Sequence, residues 1–140
     1  MDVSNNGWIV LAVMSLILGI GGSAIAISTL RPLGRRVPFT TPITDLSIPI
    51  SGEARHQFNQ GILAYREQAY AQAIECFSKV IGYEPTLAEG FHNRARAQAN
   101  LAKKQDAVAD FVNASDIYAS QGTQTGIDWI KTDLNILAEL

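Results

Sequence analysis

Two consecutive stretches of the chain decide the fold: residues 54–87, ARHQFNQGILAYREQAYAQAIECFSKVIGYEPTL, and residues 88–121, AEGFHNRARAQANLAKKQDAVADFVNASDIYASQ. Aligned at an offset of 34 residues, they place small or aromatic residues on one another in four pairs: Gly61 with Ala95, Ala73 with Ala107, Phe77 with Phe111, and Val80 with Ala114. A fixed period of this length is typical of stacked helix pairs. Small residues let two antiparallel helices approach closely, and an aromatic ring fills the space beside them. The pattern therefore predicts two consecutive helical hairpins.

Capping and helix-breaking residues set the expected helix bounds. Ser51 is the expected N-cap of a first helix that ends near Gln68, and Ala54 at its third position leaves no capping box. Three further helices are predicted over about residues 70–83, 86–102 and 104–118. Residues 122–126, GTQTG, then break the pattern, and residues 127–140 predict a fifth helix that caps the stack. The predicted fold is all-α.

The fifth helix has more apolar residues than one buried face requires. Four of them form one stripe: Ile127, Ile130, Leu134 and Leu137. Three lie off it: Trp129, Ile136 and Leu140. Packing within the chain is the favoured explanation, and the alternative makes Trp129 and Ile136 contacts to another protein.

A short tail, residues 1–7, precedes an apolar run over residues 8–30 that contains no charged side chain. As a helix this run would be about 34 Å long, enough to cross the hydrocarbon core. A cleaved signal peptide is the alternative, since Ala24-Ile25-Ala26 resembles a cleavage site, but no Lys or Arg precedes the run. We favour a retained transmembrane helix. Arg31, Arg35 and Arg36 follow it, which predicts that the remaining chain faces the cytoplasm or stroma, in a thylakoid membrane if the protein is photosynthetic.

Small residues of the apolar run fall on one helical face: Ala12, Ser15, Gly19, Gly22, Ser23 and Ala26. Such a stripe allows close packing against another transmembrane helix. The alternative is that Gly, Ala and Ser are simply frequent in membrane helices. We expect a specific packing surface.

Residues 31–51 form a proline-rich linker with four of the five prolines of the chain: Pro32, Pro38, Pro42 and Pro49. Proline removes a backbone donor and disfavours helical geometry at the residue before it, so the linker should be semi-extended. Its apolar residues are too many for a free tether. We expect part of the linker to lie along the hairpins or along a partner.

The hairpin region resembles the tetratricopeptide repeat family, with repeats at residues 54–87 and 88–121 and the whole repeat unit over 52–121. Nine positions match the family pattern: Gly61, Ala73, Phe77, Pro85, Phe91, Ala95, Ala107, Phe111 and Ala114. Four depart from it: Gln57, Gln60, Arg94 and Ala119. An ordinary amphipathic bundle with chance self-similarity is the alternative.

The resemblance implies that the first helix of each repeat lines a peptide-binding groove. Carried onto this chain, the groove residues are Arg55, Phe58, Asn59, Ile62, Tyr65, Arg66, Glu89, His92, Asn93, Arg96 and Asn100. Asn and Arg side chains of this kind can hold an extended peptide through its backbone and carboxylates.

Catalysis has little support in the sequence. The chain has only two histidines and one cysteine, with no metal-ligand spacing and no phosphate-binding loop, so we expect no catalytic residue, metal or cofactor. Cys76 cannot form an internal disulfide. A net charge of −2 gives no support for nucleic-acid binding.

Together these features predict a non-catalytic, membrane-anchored scaffold that binds a membrane protein complex as an assembly factor or accessory subunit. The layout is similar to anchored tetratricopeptide proteins of cyanobacteria and plastids that assist photosystem assembly. The alternative is a membrane receptor that captures client or targeting peptides in the groove.

Overall fold

The computed structural model describes residues 37–140, which contain five helices and no strand. The helices are α1 (Gly52–Arg66), α2 (Tyr70–Tyr83), α3 (Ala88–Asn100), α4 (Lys104–Ser120) and α5 (Gln124–Ala138). Within this part of the chain no helix has the length and apolar character needed to cross a membrane. The expected transmembrane segment, residues 8–30, and its stripe of small residues lie outside the described residues.

The helices pack in chain order. Helices α1 and α2 form hairpin one, α3 and α4 form hairpin two, α2 contacts α3, and α5 contacts α4. The predicted close approach within hairpin one is confirmed, because a Cβ added to Gly61 would lie 2.7 Å from the Phe77 ring. Ala73, Ala95 and Ala107 are fully buried at the matching positions. The core therefore forms where the 34-residue pattern repeats small and aromatic residues.

Helices α1 and α3 end two residues earlier than the sequence predicts, at Arg66 and Asn100. The next-but-one residues, Gln68 and Ala102, have positive φ of 61° and 59°. In the first of these turns, the N–H of Ala69 donates to the carbonyl of Ala64 at 2.9 Å, which is the long bond of a Schellman motif. The predicted bounds were wrong here because neither residue is glycine, the usual signal of this turn.

Helix α5 starts at Gln124, three residues before its predicted start, and includes Gly126. Gly126 is buried, and a Cβ there would lie 2.5 Å from the Tyr118 ring. The predicted helix break was therefore wrong at Gly126, which lies inside α5 and allows close packing against Tyr118 of α4. Ile130 and Leu137 of the predicted stripe are buried, and Ile127 and Leu134 pack partly buried against the core.

Residues 37–50, which we call the strap, form neither helix nor strand and precede α1. Of the two surfaces expected for the linker, these residues lie on the helices of their own chain. Phe39 is 4% exposed and belongs to the core, and four further strap residues pack partly buried against it: Val37, Leu46, Ile48 and Ile50. Ser51 then caps α1, with its hydroxyl accepting from the N–H of Ala54 at 3.4 Å.

Candidate peptide-binding site

Helix α3 holds the strap through polar side chains that bond its backbone. Asn100 accepts from the N–H of Phe39 at 3.0 Å and donates to its carbonyl at 2.7 Å. Asn93 does the same for Ile43, at 2.7 and 2.8 Å. An Asn amide offers one acceptor and two donors, so it can satisfy both backbone groups of one extended residue. Both contacts recognise backbone geometry and not side-chain identity.

Glu89 makes the third contact on this face. Its carboxylate accepts from the backbone N–H of Ser47 at 2.9 Å and from the Ser47 hydroxyl at 3.1 Å. The carboxyl is almost fully buried, and burial raises its pKa above the ordinary value in spite of these bonds. As the strap contacts run from Phe39 to Ser47, their partners run backward from Asn100 to Glu89. The strap is therefore antiparallel to α3.

Phe39 anchors the end of the strap that lies at the C-terminus of α3. Its ring meets the ring of Phe111 edge-on at 5.9 Å, and the guanidinium of Arg96 lies 5.6 Å from its centre. The Tyr65 hydroxyl donates to the Phe39 carbonyl at 2.8 Å. Apolar burial, a cation–π contact and backbone bonds thus all act on one residue.

Buried charges beside the strap connect α3 to α5. Arg96 binds both carboxylate oxygens of Asp133 and donates to the carbonyl of Thr41 at 3.0 Å. His92, which is fully buried, contacts the same carboxylate through Nε2 at 2.8 Å. The capping helix thereby orients the arginine that holds the strap.

The pKa shifts follow from this arrangement. Burial lowers the pKa of His92 below its ordinary value, against the opposing hydrogen bond to Asp133. Burial alone would raise the pKa of Asp133, but hydrogen bonds from His92 and Arg96 outweigh it and the pKa lies below its usual range. Asp133 is therefore an ionised carboxylate at neutral pH, and His92 is neutral.

Helix α1 presents a different face to the strap. Arg55, Phe58 and Asn59 line an open cleft of about 490 Å³ whose other wall is the strap segment from Thr44 to Pro49. Phe58 is buried, whereas Arg55 and Asn59 are exposed. Neither Arg55 nor Asp45, on the opposite wall, forms an ion pair within residues 37–140. This cleft is the part of the predicted groove that the strap leaves open.

The structure therefore divides the predicted groove residues into groups. Five contact the strap by hydrogen bonds: Tyr65, Glu89, Asn93, Arg96 and Asn100. Three line the cleft: Arg55, Phe58 and Asn59. Ile62 is in the core, His92 is buried beneath the face, and Arg66 is exposed at the end of α1.

Sequence reasoning missed Asp133 and Ser47. The only signal for Asp133 was its place beside Ile130 on the buried side of α5, where an acidic residue requires a partner. The two suggested partner contacts on α5, Trp129 and Ile136, are both half-buried, and Ile136 packs against the core.

Residues 37–140 contain no cluster of His, Cys, Asp and Glu suited to a metal ion. Cys76 is buried, and burial raises the pKa of its thiol, which disfavours the reactive thiolate. In comparisons with protein families, curated proteins and solved structures, the chain matches none.

Proposed function

We propose that this chain is a non-catalytic, membrane-anchored scaffold of tetratricopeptide type that binds a membrane protein complex, as an assembly factor or an accessory subunit. The observation that carries the proposal is the occupied face of α3. Its polar side chains bond the backbone of the strap at Phe39, Ile43 and Ser47. A face already filled by its own chain favours a fixed adaptor over an open peptide receptor.

The repeat interpretation rests on sequence and packing together. Nine positions match the family pattern in one register, three pairs of them at the 34-residue period, and the helix pairs stack in the order that such repeats require. Two repeats are fewer than the about three usually needed for an independent stack. The strap supplies a further layer, since it adds Phe39 and partly buried apolar residues to the core.

Isolation of the full-length chain from its native membrane in mild detergent tests the proposal. We expect one membrane protein complex in fixed proportion, with a photosystem as the first candidate because of the resemblance in layout. Resistance of the chain to carbonate extraction tests the anchor separately. Recovery of many clients in low proportion, released by competing peptide, would instead support the receptor.

The transmembrane stripe gives a second test of the same proposal. Replacing Gly19 and Ser23 by Leu should loosen association with the complex and leave membrane insertion unchanged, because bulky residues block close helix packing. Leu18→Ala, off the stripe, is the matched control. Full co-purification of the double variant would mean that the transmembrane helix only attaches the chain to the membrane and does not pack specifically against the complex.

The receptor remains the second candidate function because of the open cleft beside α1. Arg55 and Asn59 are exposed there and available to an external segment. A receptor that used the α3 face would first have to release the strap, whose local concentration is high because it belongs to the same chain.

A further inference from the structure

The strap and α5 depend on side-chain contacts to the hairpins for their position. The strap forms neither helix nor strand, and side chains of α3 bond its backbone. Helix α5 has no side-chain hydrogen bond at its N-cap, Thr123, and contains Gly126, which disfavours helical backbone. Segments with little local support open at a lower free energy than the rest of a domain. The contacts that hold the strap and α5 therefore decide how easily each of them is released.

One side chain of α3 joins these two segments. Within the described part of the chain, every hydrogen bond from α5 to another helix ends on the Asp133 carboxylate, which accepts from His92 and from Arg96. The same Arg96 guanidinium donates to the carbonyl of Thr41 and lies 5.6 Å from the centre of the Phe39 ring. We call the contacts of Arg96 with the strap and with Asp133 the Arg96 bridge. The strap precedes α1 and α5 follows α4, yet both are held by this one arginine.

Burial makes the two sides of the Arg96 bridge depend on each other. The side chain of Arg96 is 12% exposed and that of Asp133 is 3% exposed. With the strap in place, loss of Asp133 would leave the guanidinium poorly hydrated against the Phe39 ring, which is costly for a charge. With the strap released, water can hydrate the guanidinium, and the ion pair becomes an exposed pair of small net strength. Helix α5 is therefore held more tightly while the strap is bound.

A second contact of the strap lies just before α5. Gln121, the C-cap of α4, places its amide oxygen 3.0 Å from the Ser47 hydroxyl. The amide nitrogen of Gln121 donates to the carbonyl of Thr86 at 2.8 Å, which fixes the direction of the amide. The backbone N–H of Ser47 is bonded to Glu89 of α3. The strap thus reaches the region of α5 at two places, through Arg96 and through Gln121.

We propose that the strap controls the attachment of α5: while the strap is bound to α3, the Arg96 bridge holds α5 about tenfold more tightly than after the strap is released. Coupling between two sites is reciprocal, so loss of the Asp133 contact weakens the strap by the same factor. Any event that draws the strap off α3 therefore also loosens α5 at the end of the helical stack. The inference goes beyond the proposed scaffold function and does not depend on it.

A double-mutant cycle between Phe39 and Asp133 tests the inference on the full-length chain. Urea unfolding in mild detergent at neutral pH gives the unfolding equilibrium constant of each variant. Asp133→Asn keeps an acceptor for His92 but leaves Arg96 without a counter-charge, so it should raise this constant by about a hundredfold. In the Phe39→Ala chain, where water reaches Arg96, the same substitution should raise the constant by only about tenfold.

Two further variants show whether Arg96 carries the coupling. In an Arg96→Met chain, which keeps an unbranched apolar side chain against Phe39 but has no guanidinium, the effects of Phe39→Ala and Asp133→Asn should be independent of each other. Ile127→Ala is the matched control, because Ile127 packs partly buried on α5 more than one turn before Asp133. The effect of Ile127→Ala should be the same in the original chain and in Phe39→Ala.

Independent effects of Phe39→Ala and Asp133→Asn in the original chain would overturn the inference. A coupling that persists in Arg96→Met would also overturn it, because the Arg96 bridge would not be its route. An equal coupling of Phe39→Ala with Ile127→Ala would do the same, since the strap would then act on α5 without using Asp133. If Phe39→Ala does not fold, Phe39→Leu replaces it in the cycle and should give a smaller coupling of the same sign.

Discussion

The two hairpins have the same spacing but differ in what covers their first helices. On α3, the amides of Asn93 and Asn100 are buried by the strap and hydrogen-bonded to it. On α1, the equivalent residues Asn59 and Arg66 are both exposed. Hairpin two uses its polar face to hold the strap, whereas the equivalent polar residues of hairpin one are exposed. The same repeat pattern therefore leads to a covered polar face on α3 and an exposed one on α1.

Removal of the Phe39 ring, which anchors the strap, should have the largest effect on the free energy of unfolding. Phe39→Ala removes a buried ring from contact with Phe111 and Arg96, so the free energy of unfolding should fall by about 3–5 kcal/mol. Urea denaturation of the full-length chain in mild detergent, followed by circular dichroism, measures the change. Thr40→Ala, at an exposed neighbouring position, should stay within about 0.5 kcal/mol of the original. A loss below about 1 kcal/mol for Phe39→Ala would mean that the strap is only loosely attached.

Loss of the Asn100 amide should have the second largest effect on the free energy of unfolding, and Asn59 provides the comparison on α1. Asn100→Ala leaves the buried backbone N–H of Phe39 without a partner, while the carbonyl keeps its bond from the Tyr65 hydroxyl, and should cost about 1–3 kcal/mol in the same measurement. Asn59→Ala should change stability by less than about 0.5 kcal/mol, because its amide is exposed. Equal losses in the two variants would contradict this difference between the covered face of α3 and the exposed face of α1.

The sequence predicted the helices and the close-packing positions because both depend on local patterns. Gly61 beside Phe77 and Ala95 in hairpin two follow from the 34-residue period alone. The polar side chains of α3 were named from the family resemblance, which places groove residues three or four positions apart on one face of the helix. Those inferences needed no knowledge of distant contacts.

The occupant of the α3 face could not be predicted with the same certainty. Phe39 and Asn100 are 61 residues apart, and backbone recognition leaves no complementary side-chain pattern in the strap. A proline-rich apolar linker indicates contact with some surface, but it does not say which one. Asp133 was missed for the same reason, since its partners His92 and Arg96 lie on another helix.

Acid should destabilise the chain through hairpin two. The position equivalent to His92 in hairpin one is Phe58, which does not titrate. Because the pKa of His92 is lowered in the folded state, the unfolded chain binds more protons as the pH falls below about 6.5. The contribution of His92 to stability is complete above that pH and is lost as the pH falls toward the pKa of His92 in the folded state.

We expect the free energy of unfolding to fall by at most about 1.4 kcal/mol per pH unit between pH 6.5 and 5 from this group. Glu89 acts in the opposite direction, since its raised pKa lets the folded state take up a proton first. Urea titrations at several pH values should therefore show a steeper fall for Glu89→Gln and a shallower one for His92→Gln. A fall that is the same in His92→Gln as in the original chain would assign the acid sensitivity to another group.

Substitutions in the turns after α1 and α3 should give the smallest change in the free energy of unfolding, and they compare the two hairpins at equivalent positions. Gln68 and Ala102 are equivalent positions after α1 and α3, and both have positive φ. A side chain costs about 1–2 kcal/mol in this conformation, and glycine does not carry that cost. Gly122, after α4, already has glycine in the corresponding turn, with φ of 69°.

Gln68→Gly and Ala102→Gly should each raise the free energy of unfolding by up to about 1 kcal/mol, reduced by the greater freedom of glycine in the unfolded chain. Both residues are exposed, so the gains should be equal and additive in the double variant. Gly122→Ala should lose a similar amount, because it introduces the same strain at the end of α4. A gain at one hairpin only would show that the two turns carry different backbone strain, although they occupy equivalent positions in the repeat. The hairpins would then differ in their backbone as well as in their polar faces.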